Sequence, residues 1–186
     1  MIQGKHWTAL FSHTGCEIVN VSKIIGRTPD VIITNKPPGS DDIHECIEEN
    51  IYVPNKPSVE DYRAVLREDT VVTLHGWMRI IPPEICEEFN IYNLHPGLIS
   101  KYPELKGKDP QKRVFDNNYA LNHGLKEYDT VGCVIHRVIP QVDDGLQLAE
   151  CSTRNRFSDE HTLSCHLHEM ATDLWVELLT HKHEKT

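Results

Sequence analysis

Asn93 and His95 stand two positions apart at the end of an apolar run, and Pro96-Gly97 follow at once. A strand halted so abruptly projects both side chains to one side of its carboxyl edge, where α/β sheets bind ligands. One side chain is an amide donor, and the other can carry a proton near neutral pH. Donors of that kind, fixed beside a reacting carbonyl, stabilise an oxyanion. Further along, His136-Arg-Val-Ile-Pro-Gln-Val-Asp143-Asp-Gly145 offers a carboxylate in a turn after a second strand. Asp143 beside His95 is expected to orient the ring and favour its imidazolium form. On residue type alone, Asn93 could equally cap a turn and His95 sit satisfied in a core.

Positioning these groups requires an edge of sheet, and the chain supplies alternating strand and helix signals. Strands are expected over 6–13, 30–35, 70–74, 131–140 and 146–154, besides the one ending at His95. The run Val31-Ile-Ile33 is continuously apolar, as in a strand covered by helices on both faces. Helices are expected over 17–25, 43–50, 57–67 with Ser58 as its cap, 82–89 with proline in its first turn, and 110–118. A last helix over 159–181 carries Leu163, Leu167, Met170, Leu174 and Leu178 at spacings of three and four, which reads as core. Residues 101–110 form a basic loop punctuated by proline and glycine. This alternation predicts a mostly parallel, doubly wound sheet.

The 186 residues suit one domain over 1–186. A net charge of -9 and a pI near 5.7 argue against a nucleic-acid backbone or a membrane surface as partner. No apolar run is long enough to span a bilayer and the first residues lack a signal peptide's apolar centre, so a cytoplasmic protein is expected. Six scattered cysteines (Cys16, Cys46, Cys86, Cys133, Cys151, Cys165) form no Cys-x-x-Cys pair and are expected to be reduced and mostly buried. His161, Cys165 and His168 would share one helix face, a possible zinc set, although no fourth ligand is evident and no metal is expected. His181 and His183 are expected to be solvated.

Gly76-Trp-Met-Arg-Ile-Ile-Pro-Pro83, Asn93-x-His95-Pro96, Tyr102-Pro103, and Gly132-x-x-x-His136-x-Val138 leading to Asp143 occur in one order along the chain. Together they resemble the folate-dependent formyltransferase family, nearest its ribonucleotide branch. The resemblance implies a Rossmann-like fold and transfer of a formyl group from 10-formyltetrahydrofolate to the amine of a small, phosphorylated acceptor, as in purine biosynthesis. It also implies that Asn93, His95 and Asp143 are catalytic, with Asp143 relaying a proton through water. For the folate it implies a slot lined by Leu74, Trp77, Met78, Arg79 and Ile80, by Asn93, and by Ile139, Pro140, Gln141, Val142 and Asp144.

Gly15, Cys16, Glu17, Pro96 and Gly97 occupy the acceptor-side positions that the resemblance implies, in a monomer or homodimer. Three positions depart from the family. Asp144 stands where relatives have glycine, and Glu17 where the ribonucleotide branch has the asparagine of a phosphate-binding turn. Ala171 stands where that branch has a ribose-binding glutamate, with Glu169 two positions away. Glu17 could serve only as a dipole partner for its helix. The lysines of Lys106-Gly-Lys-Asp-Pro110 could meet phosphates or simply be solvated. The length leaves no room for the extra domains of transfer-RNA formyltransferases or formyltetrahydrofolate hydrolases. An amine on a nucleotide sugar is the alternative acceptor, and a non-catalytic folate- or nucleotide-binding module the alternative of another class.

Overall fold

The run Thr70-Val-Val-Thr-Leu74 is buried at every position, so β4 (Thr70–Leu74) must lie at the centre of a covered sheet. In the computed structural model, which describes residues 5–180, β4 is the middle of seven strands. The spatial order is β3 (Ile51–Tyr52), β2 (Val31–Thr34), β1 (His6–Phe11), β4, β5 (Asn90–His95), β6 (Thr130–Arg137) and β7 (Gln147–Arg154). β3 to β5 pair in parallel, whereas β6 is antiparallel to both β5 and β7. The expected mostly parallel, Rossmann-like α/β sheet is thus present.

Side chains of alternate parity fill two cores. On one face Trp7, Ala9, Phe11, Val71 and Ile135 pack against α1 (Cys16–Ile25) and α6 (Glu160–Thr180). On the other, Leu10, Ile33, Val72, Leu74 and Ile91 pack against α2 (Val59–Val65) and α3 (Pro83–Glu88). A third, smaller cluster around Leu98, Tyr102, Leu105 and Tyr128 supports the connection between β5 and β6. Along α6, Leu163, Leu167, Leu174 and Leu178 are buried with Ala171 and Trp175, while Met170 sits at the edge of the stripe. No helix among the described residues is long and apolar enough to cross a membrane.

Two expected helices differ. Residues 43–50 form successive turns: the His44 ring accepts from the Cys46 amide at 3.1 Å, and the Ile47 amide bonds the His44 carbonyl at 2.8 Å. A side chain that takes a backbone donor competes with helix propagation, and so short a segment cannot absorb the loss. Residues 110–122 form two helices, α4 (Pro110–Val114) and α5 (Asn117–Asn122), because Asp116 leaves helical geometry to cap the second, accepting from the Tyr119 amide at 3.1 Å. Nor are the thiols mostly buried. Cys86 and Cys133 are, but Cys46 and Cys165 are exposed, one in the turns that replace the helix and the other on the outer side of α6. His181 and His183 lie outside the described residues.

Ser58 caps α2 in a reciprocal box: its hydroxyl accepts from the Asp61 amide and the Asp61 carboxylate accepts from the Ser58 amide. Ser58→Ala is expected to lower stability by about 1 kcal/mol, measured by urea denaturation with an unchanged m-value.

Candidate active site

β5 places Asn93 and His95 on one face at its carboxyl end, and the antiparallel register sets Asn93 beside His136 on β6. The Asn93 Nδ2 lies 3.4 Å from His136 Nε2. After β6 the chain turns back through Asp143 in left-handed backbone (φ 54°), which aspartate tolerates better than most residues. Gly145 lets that turn close, since a Cβ there would lie 1.7 Å from the Arg137 carbonyl oxygen. The turn drops Asp143 between two imidazoles. Its Oδ2 is 3.2 Å from His95 Nδ1 and its Oδ1 is 3.2 Å from His136 Nε2. The Gly107 amide donates to Oδ2 at 2.8 Å.

Burial pushes the Asp143 carboxyl upward, but the hydrogen bonds from His136 and His95, the charge interaction with His95 and the Gly107 N–H override it, holding the group well below the ordinary carboxylate range. His95 is buried, and its Nε2 donates to the Leu105 carbonyl at 2.9 Å. With a carboxylate at one ring nitrogen and a carbonyl at the other, the doubly protonated ring satisfies both contacts. His136 was not singled out as a site residue. Its register opposite Asn93, at a position of equal parity, is the signal that could have found it.

The loop after β5 is organised from inside. Arg113 donates to the carbonyls of Glu104 and Lys106 at 2.8 and 2.9 Å, and also to that of Lys108, thereby fixing the backbone that presents Leu105 O and Gly107 N. Lys106 pairs with Asp144 at 2.5 Å, so the departure at Asp144 closes the loop over the Asp143 turn. Lys108 remains exposed near Asp109. Gly97 is buried beneath the histidine, where a Cβ would come within 3.0 Å of His95 Nε2 and 2.9 Å of Pro110. Gly97 therefore leaves room for the ring, and Pro96 before it is half-buried.

The proposed folate wall divides. Leu74 and Trp77 belong to the core, and the Trp77 indole donates to the Tyr62 hydroxyl at 3.1 Å. Arg79 is turned onto Asn55, bonding its carbonyl at 2.5 Å. Met78, Ile80 and Val142 are exposed, as is Leu146 beyond the expected set. Pro140, Gln141 and Asp144 are also exposed, and Ile139 is half-buried. Exposed apolar side chains on two loops flanking His95 suit the faces of a flat amphipathic ring.

On the acceptor side Gly15 is left-handed, Cys16 is half-buried, and Glu17 lies against His75, Trp175 and His168. Ala171 is core, and Glu169 is exposed with His166 at 3.8 Å. On α6, Cys165 and His161 approach within 3.8 Å, but His168 turns toward Cys16. Among the described residues no three His, Cys, Asp or Glu side chains converge as a metal site requires.

A model of the family described as formyl transferase matches residues 5–178. The chain belongs to this family. Solved structures agree on the fold of this formyltransferase. Glycinamide ribonucleotide transformylase 1 of Symbiobacterium toebii is 20% identical, with 96% of this chain and 87% of that one covered at a TM-score of 0.72. Phosphoribosylglycinamide formyltransferase of Anaplasma phagocytophilum is 22% identical, with 93% and 84% covered and a TM-score of 0.75. A formyltetrahydrofolate deformylase of Pseudomonas syringae pv. tomato is 17% identical, with 93% of this chain and 59% of that one covered at a TM-score of 0.69. No curated protein sequence matches the chain.

The depressed Asp143 value fixes a sign for stability. A carboxyl whose folded value lies below its unfolded value stabilises the fold above the unfolded value, near 3.9, and loses that contribution as pH falls toward the folded one. Asp143→Asn is expected to cost about 2 kcal/mol, constant from roughly pH 5 to 8 and shrinking below about pH 4. Urea denaturation of both proteins across that range measures it.

Proposed function

We propose that this formyltransferase moves the formyl group of 10-formyltetrahydrofolate to the primary amine of a small-molecule acceptor, with Asn93, His95 and Asp143 as its catalytic residues. The observation that carries this is the Asn93, His136, Asp143 and His95 array at the carboxyl edge of the sheet. The donor supplies an acyl carbon bound to nitrogen. The acceptor nitrogen forms the new C–N bond, the bond to the folate nitrogen breaks, and one proton passes from the first nitrogen to the second.

This chain's residues can stabilise the negative oxygen that develops between those events. Asn93 is the donor with capacity to spare, because among the described residues its one side-chain contact is the long one to His136. His95 has both nitrogens engaged, and reaches a substrate oxygen only when Nε2 leaves the Leu105 carbonyl. Asp143, held far below the usual carboxylate range, is a poor proton acceptor, so its role is to fix the two imidazoles.

The named relatives make glycinamide ribonucleotide, and with it purine synthesis, the first acceptor to test, in a monomer or homodimer of the cytoplasm. An aminosugar nucleotide is the same-class alternative. Turnover followed by folate absorbance, over a panel containing both acceptors, tests the reaction. Asn93→Ala, His95→Ala and Asp143→Asn are each expected to lower kcat by about 10²- to 10³-fold with folate binding little changed. Near-wild-type turnover in any one removes that residue from the assignment. Formate release without an amine would instead indicate hydrolysis.

A further inference from the structure

The order of the sheet reverses between β1 and β4: from β1 the chain builds outward to β2 and β3, then returns to place β4 on the other side. Ligands of doubly wound sheets enter the crevice at such a switch point, outside the carboxyl ends of the strands. Here its floor is closed by three side chains from three elements. Glu17 of α1 sends Oε1 to His75 Nδ1 at 2.7 Å and accepts the Trp175 indole N–H from α6 at 3.0 Å. Behind them the Trp7 indole donates to the Thr73 hydroxyl at 2.8 Å, and Thr73 lies 2.8 Å from His75 Nε2. Thr73 can then donate to Nε2, leaving His75 Nδ1–H to donate to Glu17, so every polar atom from the Trp7 indole to Glu17 Oε1 has a partner.

Glu17 cannot turn away cheaply. The side chain of His75 is wholly buried and Trp175 is buried, so its withdrawal would leave two buried donors unpaired. The other oxygen is different. Among the described residues Oε2 has only His168 Nδ1 near it, at 3.8 Å, an ion-pair distance without a hydrogen bond, and the side chain keeps 14% exposure. A fixed carboxylate with one oxygen saturated and one free repels a phosphate and attracts a donor. The catalytic array is close by: Leu74, just before His75, pairs with Asn93 on the next strand, about 4.8 Å away in a sheet. His75 and Asn93 have opposite parity, so a small molecule in the crevice would span the edge between them.

We propose that Glu17 is the acceptor-side specificity residue and that it binds a cationic group, an ammonium or amidinium, at the end of the acceptor remote from its reacting amine. A phosphate at that end of the acceptor is correspondingly disfavoured, which counts against glycinamide ribonucleotide within the acceptor panel. The identity of this ligand as the acceptor rests on the formyl-transfer function proposed above; the cation site itself does not.

The test is titration of the ¹⁵N-labelled protein, following the Trp175 indole resonance assigned with Trp175→Phe. The probes are 1,4-diaminobutane and ribose 5-phosphate. In the wild type the diamine is expected to move the resonance saturably and the sugar phosphate to leave it in place, while Glu17→Gln weakens the diamine at least about tenfold. A saturable response to ribose 5-phosphate, no response to the diamine, or an unchanged diamine response in Glu17→Gln would overturn the proposal. If Glu17→Gln does not fold, the two wild-type titrations decide. No folate and no turnover are needed, so a protein that binds the diamine but transfers no formyl group retains the cation site and loses the proposed reaction.

Discussion

A buried carboxylate that must stay ionised organises this site. Asp143 has little solvent to hydrate it, and its charge is tolerated because two imidazoles and a backbone N–H converge on its oxygens. Each partner comes from a different element: His95 from the end of β5, His136 from β6, Gly107 from the loop that Arg113 holds in place. Satisfying one charge therefore fixes the antiparallel pairing of β5 with β6, the path of the following turn and the shape of the loop above it. Gly145 and Gly97 serve the same constraint, one by allowing the turn to close and the other by leaving room under the His95 ring.

At the same edge but on the other face of the sheet, the chain of Trp7, Thr73, His75, Glu17 and Trp175 solves a similar problem with a different outcome. Around Asp143 every oxygen finds a donor from the protein. Around Glu17, among the described residues, one oxygen has only His168 Nδ1, at 3.8 Å. The first carboxylate is thus a fixed part of the machinery, and the second is free to meet a ligand. Because the sheet reverses direction between them and the family shares this fold at low sequence identity, the catalytic edge can be kept while the acceptor end changes.

Much of the arrangement was legible in the sequence. Apolar runs and their ends marked β1, β4 and β5, and Ser58 marked α2, because burial and capping are local consequences of residue type. Asn93, His95 and Asp143 were recognisable by their types and by the motifs around them, and the structure brings them together. Contacts between distant elements were not legible. Nothing near Trp175 in the chain announces a bond to Glu17, which lies 158 residues away, and nothing near His75 announces the other. Trp77 was read as a wall of the folate slot from the family resemblance, but its indole found a hydroxyl on α2. The helices expected at 43–50 and 110–118 failed where a histidine ring and an aspartate took backbone donors that periodicity alone assigns to a helix.

The central claim is that His95 and Asp143 act as one unit in formyl transfer. A double-mutant cycle in kcat, with His95→Ala, Asp143→Asn and the pair combined, tests it most directly. If Asp143 works by fixing His95, the double variant will be no slower than the slower single variant. Losses that multiply would mean that the two residues act independently, and would contradict the account.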